Sequence, residues 1–170
     1  MNRFVLVVVS ALVLFLSACG GDSATNNPPG NNPPGNNPPA TNALAGSYVG
    51  TVQFEAGDVF YTTPIASFTI SNTGALTGTV TAEAPSDVPA GEKGTVTGTV
   101  TIDSVTAGAG FASIDMTVES PTLGKYTLTG GIGQFGTIAG KTQFAVSNFT
   151  IKDASGTPVG TGGTIIGNKQ

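Results

Sequence analysis

One thiol and no imidazole set the limits of what this chain can do chemically: Cys19 is the single cysteine among 170 residues, and histidine is absent. A lone thiol makes no internal disulfide, and the chain holds no histidine to activate it as a nucleophile or to share a transition metal with it. The same inventory excludes a Ser-His-Asp triad and a Cys-His pair. Carboxylates are the remaining acid–base groups, and a glycosidase-like dyad needs two of them facing one cavity. Period-two alternation instead puts Glu55, Glu83, Asp103, Asp115 and Glu119 on the polar phase of strand-like runs, with Lys125, Lys141 and Lys152. Asp58, Asp87, Glu92, Lys93 and Asp153 fall in connections. A serine–lysine device is available by inventory, but no spacing suggests one. Asp153-Ala154-Ser155-Gly156 lacks the frame of a calcium-binding EF-hand loop and reads as a turn. The expectation is a chain with no catalytic residue, no metal ligand and no cofactor, and therefore no enzyme.

What Cys19 lacks in partners it has in position. Met1, Asn2 and Arg3 make a short, weakly positive start, and Phe4 to Leu16 is apolar apart from Ser10. At about 1.5 Å per residue, a helix of that length falls well short of the roughly 30 Å hydrocarbon core, so the run reads as a signal-peptide core and not a permanent span. Behind it stand two small residues and the cysteine, Leu16-Ser17-Ala18-Cys19. This stretch resembles the lipobox of bacterial lipoproteins. The resemblance implies that the Cys19 thiol receives a diacylglycerol and that a dedicated signal peptidase cuts between Ala18 and Cys19. Cys19 then becomes the mature N-terminus, bound to membrane lipid through its acyl chains. The next residue is Gly20, not the Asp that marks inner-membrane retention in the enteric-type sorting rule. The expected location is thus the bacterial cell envelope, at the outer membrane if the host is Gram-negative.

The elements that follow divide into a spacer and a domain. Residues 19–42 contain Asn26-Asn27-Pro28-Pro29-Gly30, Asn31-Asn32-Pro33-Pro34-Gly35 and Asn36-Asn37-Pro38-Pro39-Ala40. Each Pro pair fixes φ and forces the preceding Asn toward extended conformations, so no helix, sheet or core can form and a disordered linker is expected. Residues 43–170 form the single domain, rich in Thr, Val, Gly, Ile and Phe. Only 9% of the chain is charged, and losing Arg3 with the signal peptide takes the formal charge one unit below −4. That balance argues against nucleic acid and against an electrostatic grip on anionic lipid.

The domain is built from alternating strands. Val96, Val100 and Ile102 oppose Thr95, Thr97, Thr99 and Thr101; Leu76 and Val80 oppose Ala75, Thr77, Thr79 and Thr81. Tyr48, Val52 and Phe54 share one phase, as do Ala112, Ile114, Met116 and Val118, then Tyr126, Leu128 and Ile132, then Phe149 and Ile151. One buried and one wetted face is the antiparallel pattern, and about eight such runs predict an all-β antiparallel barrel, with an Ig-like β-sandwich as the alternative. Asn72-Thr73-Gly74 and Ala107-Gly108-Ala109-Gly110 read as turns, residues 85–91 as an exposed loop, and Asn148 as an exposed strand residue.

A Gly-x-apolar-x-Gly cell recurs, for example at Gly74-Ala75-Leu76-Thr77-Gly78, Gly94-Thr95-Val96-Thr97-Gly98 and Gly136-Thr137-Ile138-Ala139-Gly140. None of these cells opens a helix that could cradle phosphate. Inward glycines have two readings: curvature and packing in a filled barrel, or room for a small apolar ligand beside Tyr48, Phe54, Phe68 and Leu128. The cells Gly46-Ser47-Tyr48-Val49-Gly50 and Gly163-Thr164-Ile165-Ile166-Gly167 resemble the first and last strands of small lipocalin-like or transferrin-binding-protein-like barrels of bacterial surface lipoproteins, without the tryptophan usual in the first strand. Two roles follow as expectations: a membrane-anchored, non-enzymatic protein with a partner-binding or structural domain, or a carrier of a small apolar ligand.

Overall fold

The computed structural model describes residues 42–84 and 86–170, with backbone only at 64–66. The expected signal helix, the expected lipidation and cleavage site at Ala18 and Cys19, and the Pro-rich repeats lie outside these residues. Within them the chain makes eight strands: β1 (Gly46–Ala56), β2 (Val59–Ile70), β3 (Ala75–Thr81), β4 (Lys93–Thr106), β5 (Ala109–Ser120), β6 (Gly124–Ile138), β7 (Lys141–Lys152) and β8 (Pro158–Lys169). Each pairs antiparallel with the next, and β1 closes on β8 through Tyr48↔Lys169 to Gln53↔Thr164. The sheet is a closed up-and-down barrel and not a two-sheet sandwich. Closure leaves no strand edge unpaired.

Alternation does the folding. Val96, Val100, Leu76, Val80, Ala112, Ile114, Met116 and Val118 are all buried, while their Thr and acidic neighbours face out. Thr77↔Thr97 and Thr79↔Thr95 stand side by side on the outer wall. Inside, the aromatics form two groups. Tyr48, Phe68 and Phe144 meet with ring centroids 5.3 to 5.9 Å apart, and Phe54 lies 5.3 Å from Tyr61 and 5.6 Å from Tyr126.

Three expectations need correction. Ile132, placed inward by simple alternation, is 59% exposed. Ile114 pairs with Gly131 but Met116 pairs with Leu128, so β6 carries one residue more than β5 and the phase slips. Gly130 takes φ +71 at this bulge, and its N–H, freed from the ladder, donates to Asp115 Oδ1 at 2.7 Å. Asn148 sits in the matching irregularity of β7 with φ +65, a conformation asparagine tolerates better than most residues. Second, the cell from Gly136 to Gly140 is not one strand. Ala139 and Gly140, at φ +51 and +79, form the β6–β7 turn, just as Ala107 and Gly108, at +50 and +81, form the β4–β5 turn. Positive φ at both central residues is what a two-residue hairpin turn with the right twist demands. Third, the loop before β4 is not wholly exposed: Val88 in it is buried at 4%.

Because strands alternate in direction, the connections sort onto two ends. Residue 42, the β2–β3, β4–β5 and β6–β7 turns, and the C-terminus share the near end. The other four connections share the far end.

Candidate functional site

Three places in the barrel could carry function: its interior, its near end and its far end. In the interior, the glycines that could have made room for a ligand instead receive the barrel's own side chains. A Cβ on Gly131 would fall inside the Phe149 ring, and one on Gly167 would collide with the rings of Phe144 and Phe68. Gly78 and Gly98 press on the backbone of the neighbouring strands β2 and β5 in the same way. Of the two readings of the inward glycines, packing is the one this geometry supports.

Each mouth is covered. At the near end, residues 42–45 turn beneath the barrel and insert Leu44, which is fully buried. Tyr48 Oη donates to the Leu44 carbonyl at 2.7 Å, the Leu44 N–H donates to Asn42 Oδ1 at 2.9 Å, and Asn42 Nδ2 donates to the Val100 carbonyl at 3.1 Å. Lys169 Nζ adds a bond to the Ala45 carbonyl at 2.6 Å. Asn42, at the boundary of the predicted spacer, is therefore stitched to β4 and, through its N–H, to the Asn72 carbonyl at 3.1 Å. Beside it an open groove of about 450 Å³ is lined by Asn72, Thr73, Thr99, Val100, Ile102 and Val105 among others. Both backbone groups of Val100 are engaged there, its N–H donating to the Gly74 carbonyl at 2.7 Å and its carbonyl accepting from Asn42 Nδ2.

At the far end the β3–β4 connection, described over residues 82–84 and 86–92, lies over the mouth as a strap. Val88 and Leu123, 4% and 9% exposed, close the opening from above. Phe60 N–H donates to Asp87 Oδ2 at 2.7 Å, and Asp87 N–H returns a bond to the Phe60 carbonyl at 2.9 Å. The other end of the strap is latched by Glu92, whose Oε1 accepts from Ser120 Oγ at 2.5 Å and from the Thr122 N–H at 2.9 Å. The Ser120 hydroxyl and the groups of Thr122 hold the Glu92 carboxyl below its ordinary range. Asp153 is lowered in the same way by the Ser155 hydroxyl and the Thr157 N–H, within the β7–β8 turn. Under the strap lies Tyr61, fully buried, whose hydroxyl finds no hydrogen-bond partner among the described residues. Burial, with the Glu92 charge adding to it, pushes that hydroxyl up to about 12; burial alone does the same to Tyr48.

No group of three or more Cys, Asp or Glu side chains that could hold a metal occurs among the described residues. Glu55, Glu83, Asp103, Asp115, Glu119, Lys125 and Lys141 are exposed on the outer wall or rim, as alternation predicts, and Lys152 is half-buried. What residue order hides is their distribution. Glu55, Asp58, Glu83, Asp87, Glu92, Glu119 and Asp153 all gather at the far end, in three of its four connections and on the adjoining ends of β1 and β5, where they outnumber Lys93, Lys125 and Lys152. The near-end turns carry none, and all the large exposed apolar side chains, Val49, Val105, Phe111, Ile132 and Ile138, lie at or beyond the barrel's middle on that side. Counting charge by alternate connections would have found this asymmetry in the sequence once an up-and-down order was assumed.

No known protein family, curated protein or solved structure matches the chain.

Proposed function

We propose that the protein is a non-enzymatic bacterial envelope lipoprotein, held to membrane lipid through acylated Cys19, whose barrel works from its outer surface as a partner-binding or structural domain. The observation that carries the second half is the interior: rings lie against the inward glycines, and Leu44, Val88 and Leu123 cover the mouths. A carrier of a small apolar ligand would need that space. Support for the first half comes from the sequence Leu16-Ser17-Ala18-Cys19 behind its apolar run. The outer wall presents exposed Thr77, Thr79, Thr95, Thr97, Thr99 and Thr101 where a membrane-spanning barrel needs an apolar band, which favours a barrel lying outside the bilayer.

Cys19→Ala tests the anchor in the protein's own host, with radiolabelled fatty acid and membrane fractionation. The expected result is an uncut precursor with no incorporated label. A variant that is processed normally and still sediments with membranes overturns the lipobox reading.

A further inference from the structure

We propose that the near end of the barrel docks onto the lipid surface, with the tips of the β4–β5 and β6–β7 hairpins sinking among the headgroups. Val105, Phe111 and Ile138 are 50%, 48% and 49% exposed on these two hairpins, and Ile132 stands next to them on the same wall. Residues 104–113 and 134–140 contain no charged side chain; the nearest charges are Asp103, which accepts from Ser113 Oγ at the base of the first tip, and Lys141 just beyond the second, a cation suited to the headgroup layer. Two-residue turns close both tips, so little unpaired backbone enters the interface with them.

The occupant is argued from what surrounds the tips. The chain joins the barrel at Asn42, on the same end, so an anchor at Cys19 brings this end to the membrane first; here the inference rests on the tether proposed above. Most of the barrel's carboxylates sit toward the opposite end, where Glu55, Asp58, Glu83, Asp87, Glu92, Glu119 and Asp153 outnumber Lys93, Lys125 and Lys152, and repulsion from anionic lipid turns the barrel the same way. A second copy fits less well. Two convex tips do not offer the roughly 800 Å² per partner of a standard interface, whereas interfacial docking needs only a few apolar side chains inserted by about 5–10 Å. The spacer then sets how far the barrel can travel, and the tips set which way it faces when it lands.

The absence of tryptophan makes the test direct. Residues 19–170, which contain the whole closed barrel, would be made as two single-tryptophan variants, Ile138→Trp at the near end and Ala154→Trp in the far-end β7–β8 turn. Each would be coupled through Cys19, the only thiol, to maleimide lipid in phosphatidylcholine–phosphatidylglycerol vesicles, with coupling verified by mass and folding by circular dichroism. Brominated acyl chains should quench Ile138→Trp at least about twofold more than Ala154→Trp, with a blue shift of the near-end emission alone. Adding Phe111→Ser and Val105→Ser to Ile138→Trp should remove the difference. Equal quenching of the two sites overturns the proposal, as does a blue shift that depends on protein density and brings no quenching, which would mark a second copy. Because attachment is chemical, failure here leaves lipidation in the cell standing, and failure of the Cys19→Ala test leaves this result intact.

Discussion

The two ends of the barrel solve the same problem, closing an open mouth, with different materials. The near end is closed by the chain's own beginning: Leu44 is driven in and fixed by Tyr48, Asn42 and Lys169. The far end is closed by Leu123 and by a strap that inserts Val88 and whose hold depends on two carboxylates, Asp87 and Glu92. The difference teaches where charge can be afforded by the fold. A plug held through backbone carbonyls by amide, hydroxyl and ammonium donors leaves the near-end turns free of acid, and an acid-latched strap makes the far end negative. Both groups contain a buried tyrosine, satisfied at the near end and unsatisfied at the far end.

That comparison can be broken at several points. The largest effect belongs to the plugs. Leu44→Ala should lower unfolding free energy by about 3 kcal/mol, and Leu123→Ala by clearly less, because Leu123 keeps 9% of its surface exposed where Leu44 keeps none. Urea unfolding of both decides it, and equal losses would erase the distinction between the two mouths. Next come the tyrosines. Tyr48→Phe should cost about 1 kcal/mol by orphaning the Leu44 carbonyl, whereas Tyr61→Phe should gain about 1 kcal/mol by removing a buried hydroxyl that bonds to nothing described. The opposite signs are the test; a loss at both positions would mean that the Tyr61 hydroxyl is satisfied in solution.

The smallest effect is a slope. Glu92 has a folded-state pKa below its unfolded value, so its stabilising contribution is present above the unfolded value and disappears as pH falls through the folded one. Stability should therefore decline on acidification below the ordinary carboxylate range. Glu92→Gln should flatten that decline without abolishing it, since Asp153 is lowered in the same direction. An unchanged slope would show that the latch does not contribute.

Much of this was legible in residue order, and the failures have a common cause. Runs such as Thr95 to Ile102 declare their two faces because every second residue is apolar, and they produced strands where expected. Ile132 misled because a bulge at Gly130 and Gly131 inserts one residue, and alternation carries no sign of an insertion except the glycine pair itself. The Ala139-Gly140 turn was hidden inside a glycine cell identical in pattern to genuine strand cells, since glycine serves both close strand packing and positive φ. Val88 looked like loop because one valine among polar neighbours has no periodicity to report its burial. The polarity between the ends was written in the sequence but only topology gathers it, bringing Glu55, Glu83 and Glu119 to one rim. The proposed lipidation rests on the residue order Leu16 to Cys19 alone, outside the described residues.

Native mass spectrometry of the protein extracted gently from its own membranes bears most directly on a lipid-anchored, self-filled barrel. The account predicts a polypeptide beginning at Cys19 that carries covalent acyl mass and holds the same mass after denaturation. An N-terminus without lipid, or a reproducible non-covalent mass released on denaturation, would contradict it.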